Sequence, residues 1–382
     1  MKLRSILLMA SASLVFSNAF SQTHVTTGTQ KYTLLEEGTG TWCGYCPDGS
    51  QRLQETVEPG YPRCIVASFH NGDPMALTGD PFNAAYITGF PGASIDRVPF
   101  THPSSSGPVT SINVNRGYWA TDVGVRDILT PNFQIDMLGT YDSTTRLLTV
   151  KVQAKALVAL TGNYRINAYI VQDSIGSSAT NYEQHSYMNT TTGSWYYGMG
   201  SVIPAASYAH MNVVTNVLGA SIYGDTAAAL NAPAVGAKAL KTYTFTIPTT
   251  VPSKYVKVVG LVQKYGTATT DRPIENSARA RVRMMQKSVV EVASLTGMEE
   301  IELYPNPAYN YIHVEGHLST PTETSITITN ALGQVVSQNV YPSNGATMFA
   351  ENISTENLSN GMYMMTIDNN GEKATRKFVV AK

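Results

Sequence analysis

Charge is scarce in this chain. Of 382 residues only 14% are Asp, Glu, Lys or Arg, and they balance to a formal net charge of -1. No field of one sign is available to hold a polyanion, so nucleic acid is not an expected partner. Cysteine is scarcer still, with three in the whole chain, and the seven histidines show no paired spacing. A single Cys-x-x-Cys supplies half of a four-ligand zinc set, so no metal is expected, and no cofactor motif is present. Beyond the N-terminal stretch no apolar run approaches the roughly 20 residues a membrane-crossing helix needs. No Ser/His/Asp or paired-carboxylate constellation stands out either, which leaves hydrolysis without a candidate.

Tyrosine is plentiful, at 22 residues against 10 Phe, alongside abundant Ser, Thr, Asn and Gly. That mixture suits strands and polar loops. The length exceeds what one hydrophobic core usually serves, so several domains are expected. The N-terminus runs Met1-Lys2-Leu3-Arg4, then an apolar stretch over residues 6–16, then small residues at Ala19 and Ser21. This pattern predicts a secretory signal peptide over residues 1–21, cleaved after Ser21.

The fold class expected is α+β, multidomain and mostly β. Residues 30–130 mix short apolar runs (32–35, 64–69) with helix-compatible stretches (50–57, 80–87), an α/β pattern. Residues 131–292 alternate as strands. Phe133, Ile135 and Met137 share one face, and Leu148, Val150, Val152 and Ala154 follow a turn at 142–145, which predicts a hairpin within an antiparallel β-sandwich. An insertion at 174–210 carries Tyr182, Tyr187, Trp195, Tyr196, Tyr197 and Tyr208. Its rings either pack beneath their own loop or form an adaptable binding surface. After a polar joint, residues 300–382 show a second set of alternating runs and predict a small Ig-like β-sandwich.

Two of the cysteines are spaced Cys43-x-x-Cys46, after an apolar run and before a predicted helix. A helix start favours an anion, so the Cys43 thiol is expected to ionise readily and act as the nucleophile. Cys46, one turn on, would resolve the mixed disulfide, with Cys43 exposed and Cys46 shielded. Cys64 opens the run 64–69 and is either a buried core residue or a further reactive thiol. His70-Asn71-Gly72-Asp73-Pro74 is either a turn after a strand or a substrate contact.

Several of these stretches resemble known families. Leu303-Tyr304-Pro305-Asn306-Pro307-Ala308, Ala331-Leu332-Gly333-Gln334-Val335-Val336, Leu358-Ser359-Asn360-Gly361-Met362-Tyr363 and Lys377-Phe378-Val379-Val380 resemble, in order, a type IX secretion sorting domain. That resemblance implies two-step export from a Bacteroidetes-type cell by the type IX machinery. Removal of the tail would follow, with the remainder either anchored to lipopolysaccharide at the outer membrane or released. Thr41-Trp42-Cys43-Gly44-Tyr45-Cys46 resembles the signature of thioredoxin-like oxidoreductases. The resemblance implies that Glu37 is a buried acid assisting proton transfer from the resolving cysteine, and that Pro91, in Phe90-Pro91, is a cis-proline that docks a substrate strand. It departs from reducing thioredoxins at Tyr45, where they carry proline, and at Pro47. Residues 34–47 with 68–75 and 89–91 are similar to the Bacteroidetes outer membrane protein 28-related family. Two functions follow as expectations. One is a surface or secreted thiol-disulfide oxidoreductase acting on protein thiols or disulfides; the other is a binding or structural protein in which the disulfide is only a staple.

Overall fold

The computed structural model describes residues 23–79, 81–177, 179, 181–285, 301–304, 306–318 and 320–381. The predicted signal peptide and the polar joint before residue 300 lie outside them. The protein is mostly β, built from several sheets.

Strand β1 spans Thr23–Thr26. Three elements then frame the cysteine motif: strand β2 spans Leu34–Thr39, helix α1 spans Cys46–Arg52 and strand β3 spans Ile65–His70. β2 and β3 run parallel, Leu34 opposite Ile65 through Thr39 opposite His70. All six residues of each are buried. Strands covered on both faces show apolar runs without alternation, as these do at residues 34–35 and 65–67, while Glu36, Glu37, Thr39, Ser68 and His70 are buried polar residues. Strand β4, Gly92–Ile95, pairs antiparallel on the other side of β2. Pro47 sits in the first turn of α1, where a missing N–H costs nothing. α1 then widens into a π-turn at Leu53–Val57.

The central sheet has nine strands and extends well beyond this unit. Its order is Ile274–Arg281, Val256–Tyr265, Asn163–Gln172, Val213–Val217, β3, β2, β4 and Val114–Asn115, with Asp225–Asn231 paired at the side. The sheet therefore runs across the expected join at 130/131, and the strands flanking the cysteine motif share one sheet with the middle strands. A four-stranded antiparallel sheet, β1, Phe133–Asp142, Leu147–Ala156 and Lys238–Thr246, lies over its far half. The hairpin alternates strictly, with Phe133, Ile135 and Met137 inward. Gly260 lets the two sheets approach, since a Cβ there would lie 2.5 Å from the Met137 sulfur. Each fully buried side chain of this kind contributes about 1.5–3 kcal/mol.

A polar cluster ties the early strands to the middle ones. Arg97 is wholly buried and donates from Nε and Nη2 to the two carboxylate oxygens of Glu36, at 2.7 and 2.6 Å. It also donates to the carbonyl of Ile222, the side-chain oxygen of Gln263 and the Tyr169 hydroxyl. With these partners the guanidinium is satisfied and β2 is fixed against the Asn163–Gln172 strand.

The C-terminal part is a separate sandwich. Glu302–Tyr304, Tyr311–His317 and Met348–Ser354 form one sheet; Val335–Tyr341, Thr324–Asn330, Gly361–Asn369 and Glu372–Val380 form the other. Ile312, Val314, Ile326, Ile328, Met365 and Phe378 fill the space between them. The turn at Asn330 closes through Gly333, whose φ of +79° suits glycine.

Candidate redox site

The motif loop leaves the C-terminal end of β2, as ligand-binding loops of open parallel sheets do. Cys43 and Cys46 are joined in a disulfide, with Cα atoms 5.4 Å apart. Cys46 opens α1 and is fully buried. Cys43 is only 4% exposed. The expectation of an exposed first cysteine does not hold, because the 174–210 insertion folds back over the loop. Trp42 and Tyr45 beside it remain about half exposed, at 45% and 48%.

Glu37 is the second of the two acids in β2, and its surroundings are poor in partners. Its Oε2 accepts from the Ser68 hydroxyl of β3 at 2.7 Å, and no hydrogen bond to its buried Oε1 is formed among the described residues. Burial pushes its carboxyl up to about 7, against the Ser68 hydrogen bond and aided by nearby Glu58. A carboxyl with that value exchanges a proton near neutrality.

Pro91 packs against α1. The Phe90-Pro91 bond is cis. Gly49 of α1 faces Pro91, and a Cβ there would lie 3.2 Å from its ring. Phe90 meets the Trp42 ring edge-on at 5.2 Å. Gly92 and Ala93 of β4 pair with Gly38 and Glu37 of β2, so Pro91 immediately precedes the strand that lies next to Glu37. Cys64 lies apart from them. It is buried in the cluster of Leu35, Val66 and Ile95, and burial raises its thiol well above the usual range.

Other residues hold the loop that carry little sequence signal. Asp73 accepts from the Thr41 N–H and the Met75 N–H, both at 2.9 Å, and from His70 Nδ1 at 2.6 Å. Burial opposes its ionisation, but these donors outweigh it and hold the carboxyl below its ordinary value. Trp42 Nε1 donates to the carbonyl of Asn71 at 2.6 Å. The His70-to-Pro74 stretch is thus a brace for the motif as well as a turn. His70 also meets the ring of His210, whose burial and whose neighbour His70 push it down to about 4. Tyr208 of the insertion is buried and meets Ser50 of α1. The Tyr-rich composition marks the insertion as notable, but nothing local in sequence places it on the cysteines.

Residues 302–381 match the family described as a secretion system C-terminal sorting domain. The tail is a type IX sorting domain that engages the secretion machinery, and the chain is exported, to the cell surface or beyond it. No curated protein matches the sequence. Among solved structures the chain is similar to HBP35 of Porphyromonas gingivalis, with 17% identity and a TM-score of 0.50, over 92% of this chain and 99% of that one. At such identity the likeness is one of fold. PorZ of the same organism, a surface component of its type IX secretion system, aligns over 76% of this chain and 43% of its own at 10% identity, but a TM-score of 0.18 supports no inference.

Proposed function

We propose that this exported protein is a thiol-disulfide oxidoreductase with a thioredoxin-like centre, Cys43 reacting with partner sulfur and Cys46 resolving. The observation that carries the reading is the Cys43–Cys46 disulfide in the loop that follows β2, the strand that also carries a buried acid, Glu37, raised to about 7. Glu37 would pass a proton to or from the Cys46 sulfur, and Pro91 would line the approach. Protein thiols or disulfides of the cell envelope or medium are the substrates this chemistry calls for. The same reading includes the resemblance to the outer membrane protein 28-related family, removal of the signal peptide after Ser21, and attachment to lipopolysaccharide at the outer membrane once the tail is removed.

The test is catalysis by the full chain of disulfide formation in a reduced protein and of disulfide exchange in a scrambled one. Wild type should accelerate it and Cys43→Ser should not; activity that survives Cys43→Ser contradicts the proposal. One observation favours the alternative of a binding or structural protein, namely that both cysteines are buried. In that case the disulfide is a staple and Cys43→Ser lowers stability with no catalytic effect to lose.

A further inference from the structure

Segment 184–187 lies across the cysteine loop as an added strand would. The His185 N–H donates to the carbonyl of Thr41 and the Tyr187 N–H to that of Gly44, each at 2.7 Å. Gln184, between them and the core, sends its side-chain amide to the carbonyls of Cys43, at 3.0 Å, and Gly40, at 3.3 Å. Alternate N–H groups turned onto one edge are how an extended peptide docks by strand addition. The Tyr187 ring covers Gly44, where a Cβ would stand 2.5 Å from it, and meets Tyr45 edge-on. The rest of the insertion is anchored on α1, through Gln51 to the backbone of Gly193 and Trp195. The contacts of 184–187 with the loop are mainly polar; Tyr187 is 61% exposed, Gln184 and Ser186 are buried, and the only strand on the segment's other edge is the short Val202–Ile203 among the described residues. Such a segment opens locally at lower cost than the all-buried strands beneath it.

We propose that segment 184–187 is a displaceable plug occupying the edge at which an extended, cysteine-bearing polypeptide docks, and that Cys43 reacts only when the plug lifts. The identity of the docking partner rests on the thiol-exchange reading above; the closure of the disulfide rests on the hydrogen bonds and burial alone. With the plug lifted, a partner thiolate attacks Cys43 Sγ. An intermolecular S–S bond forms, the Cys43–Cys46 bond breaks, and Cys46 leaves as a thiolate that takes up a proton. A second thiolate of the partner then attacks the partner's own sulfur in the mixed disulfide, and Cys43 leaves as thiolate. The partner dithiol is oxidised by two electrons and the Cys43–Cys46 pair is reduced by the same two.

The test compares the rate at which dithiothreitol reduces Cys43–Cys46 in the full wild-type chain, Gln184→Ala and Tyr187→Ala, read by alkylation and mass. The plug predicts acceleration in both variants, roughly tenfold in Gln184→Ala, where the side-chain hydrogen bonds are lost. Equal rates in all three chains overturn it. Hydrogen exchange on the wild type gives a second readout that needs no variant. The His185 and Tyr187 amides should exchange together and faster than those of β3; protection equal to β3 also overturns the plug. A lifted plug that admits dithiothreitol but yields no adduct between Cys43 and a cysteine peptide removes the docking edge, and with it the exchange reading. Equal dithiothreitol rates instead remove the plug and leave that reading standing.

Discussion

Two neighbouring acids in β2 are buried under different terms. Glu36 is matched by Arg97, whereas Glu37 has only the Ser68 hydroxyl. Removing one partner of a buried pair strands the other charge, at a cost of about 3–5 kcal/mol. Arg97→Ala should therefore lower folding stability by that amount in equilibrium denaturation with the disulfide kept oxidised. Glu37 acts through its proton. The fold raises its carboxyl from 4.5 to about 7. Native protein thus keeps a proton that the unfolded chain releases, and stability falls as pH rises from 4.5 to 7, then levels off. Integrated over that span the contribution is about 3 kcal/mol. Glu37→Gln should remove this slope, so that denaturation midpoints of variant and wild type converge near pH 4 and the variant is the more stable at pH 8. Superimposable pH profiles would contradict the assignment.

At the scale of elements, the site is a loop held from two sides, by the turn after β3 and by the insertion. Asp73 serves three donors, so Asp73→Ala leaves the Thr41 and Met75 N–H groups and His70 without their acceptor. Each buried group left unpaired costs about 1–3 kcal/mol. The expected outcome is a lower denaturation midpoint together with faster reduction of Cys43–Cys46, measured by alkylation. Much of this scale was legible in sequence. The hairpin at 133–154 alternates with period two, the run at 64–69 is nearly the whole of β3, and the run at 32–35 reaches only the first two residues of β2. What stayed hidden were partnerships between distant segments. Nothing in Gln184 or Tyr187 signals that they bond residues more than 140 positions away, so Cys43 was expected to be exposed and is not. Likewise, local patterning marks 164–171 as a strand but does not show that β3 belongs to its sheet.

At the scale of the molecule, the sorting domain is docked on the rest of the chain. Thr26 and Thr347 exchange hydrogen bonds, Tyr32 donates to the carbonyl of Met348, and Arg279 meets Glu315 at 2.8 Å. Gly28 and Gly345 approach so closely that a Cβ at Gly28 would lie 2.4 Å from the carbonyl carbon of Gly345, and the φ of Gly28 is +54°. Gly28→Ala should therefore undock the domain, turning a coupled thermal unfolding into two calorimetric transitions. Acid should act in the same direction. Burial holds His317, beside Arg279, neutral and pushes it down to about 4, so its support of the docked state is present above pH 6.5 and fades as pH falls toward 4. Burial opposes ionisation of Glu315, but Arg279 and Arg281 outweigh it and hold the carboxyl well below its ordinary value. Export places this molecule where thiols meet an oxidising medium, the setting in which the proposed exchange at Cys43–Cys46 is to be tested. The most direct measurement is to incubate the full-length Cys46→Ser chain with a disulfide-containing peptide and map the adduct by mass spectrometry. The account predicts a mixed disulfide on Cys43 that accumulates because its resolving partner is gone. An unmodified Cys43 in folded protein, with the plug loosened by Gln184→Ala, would contradict it.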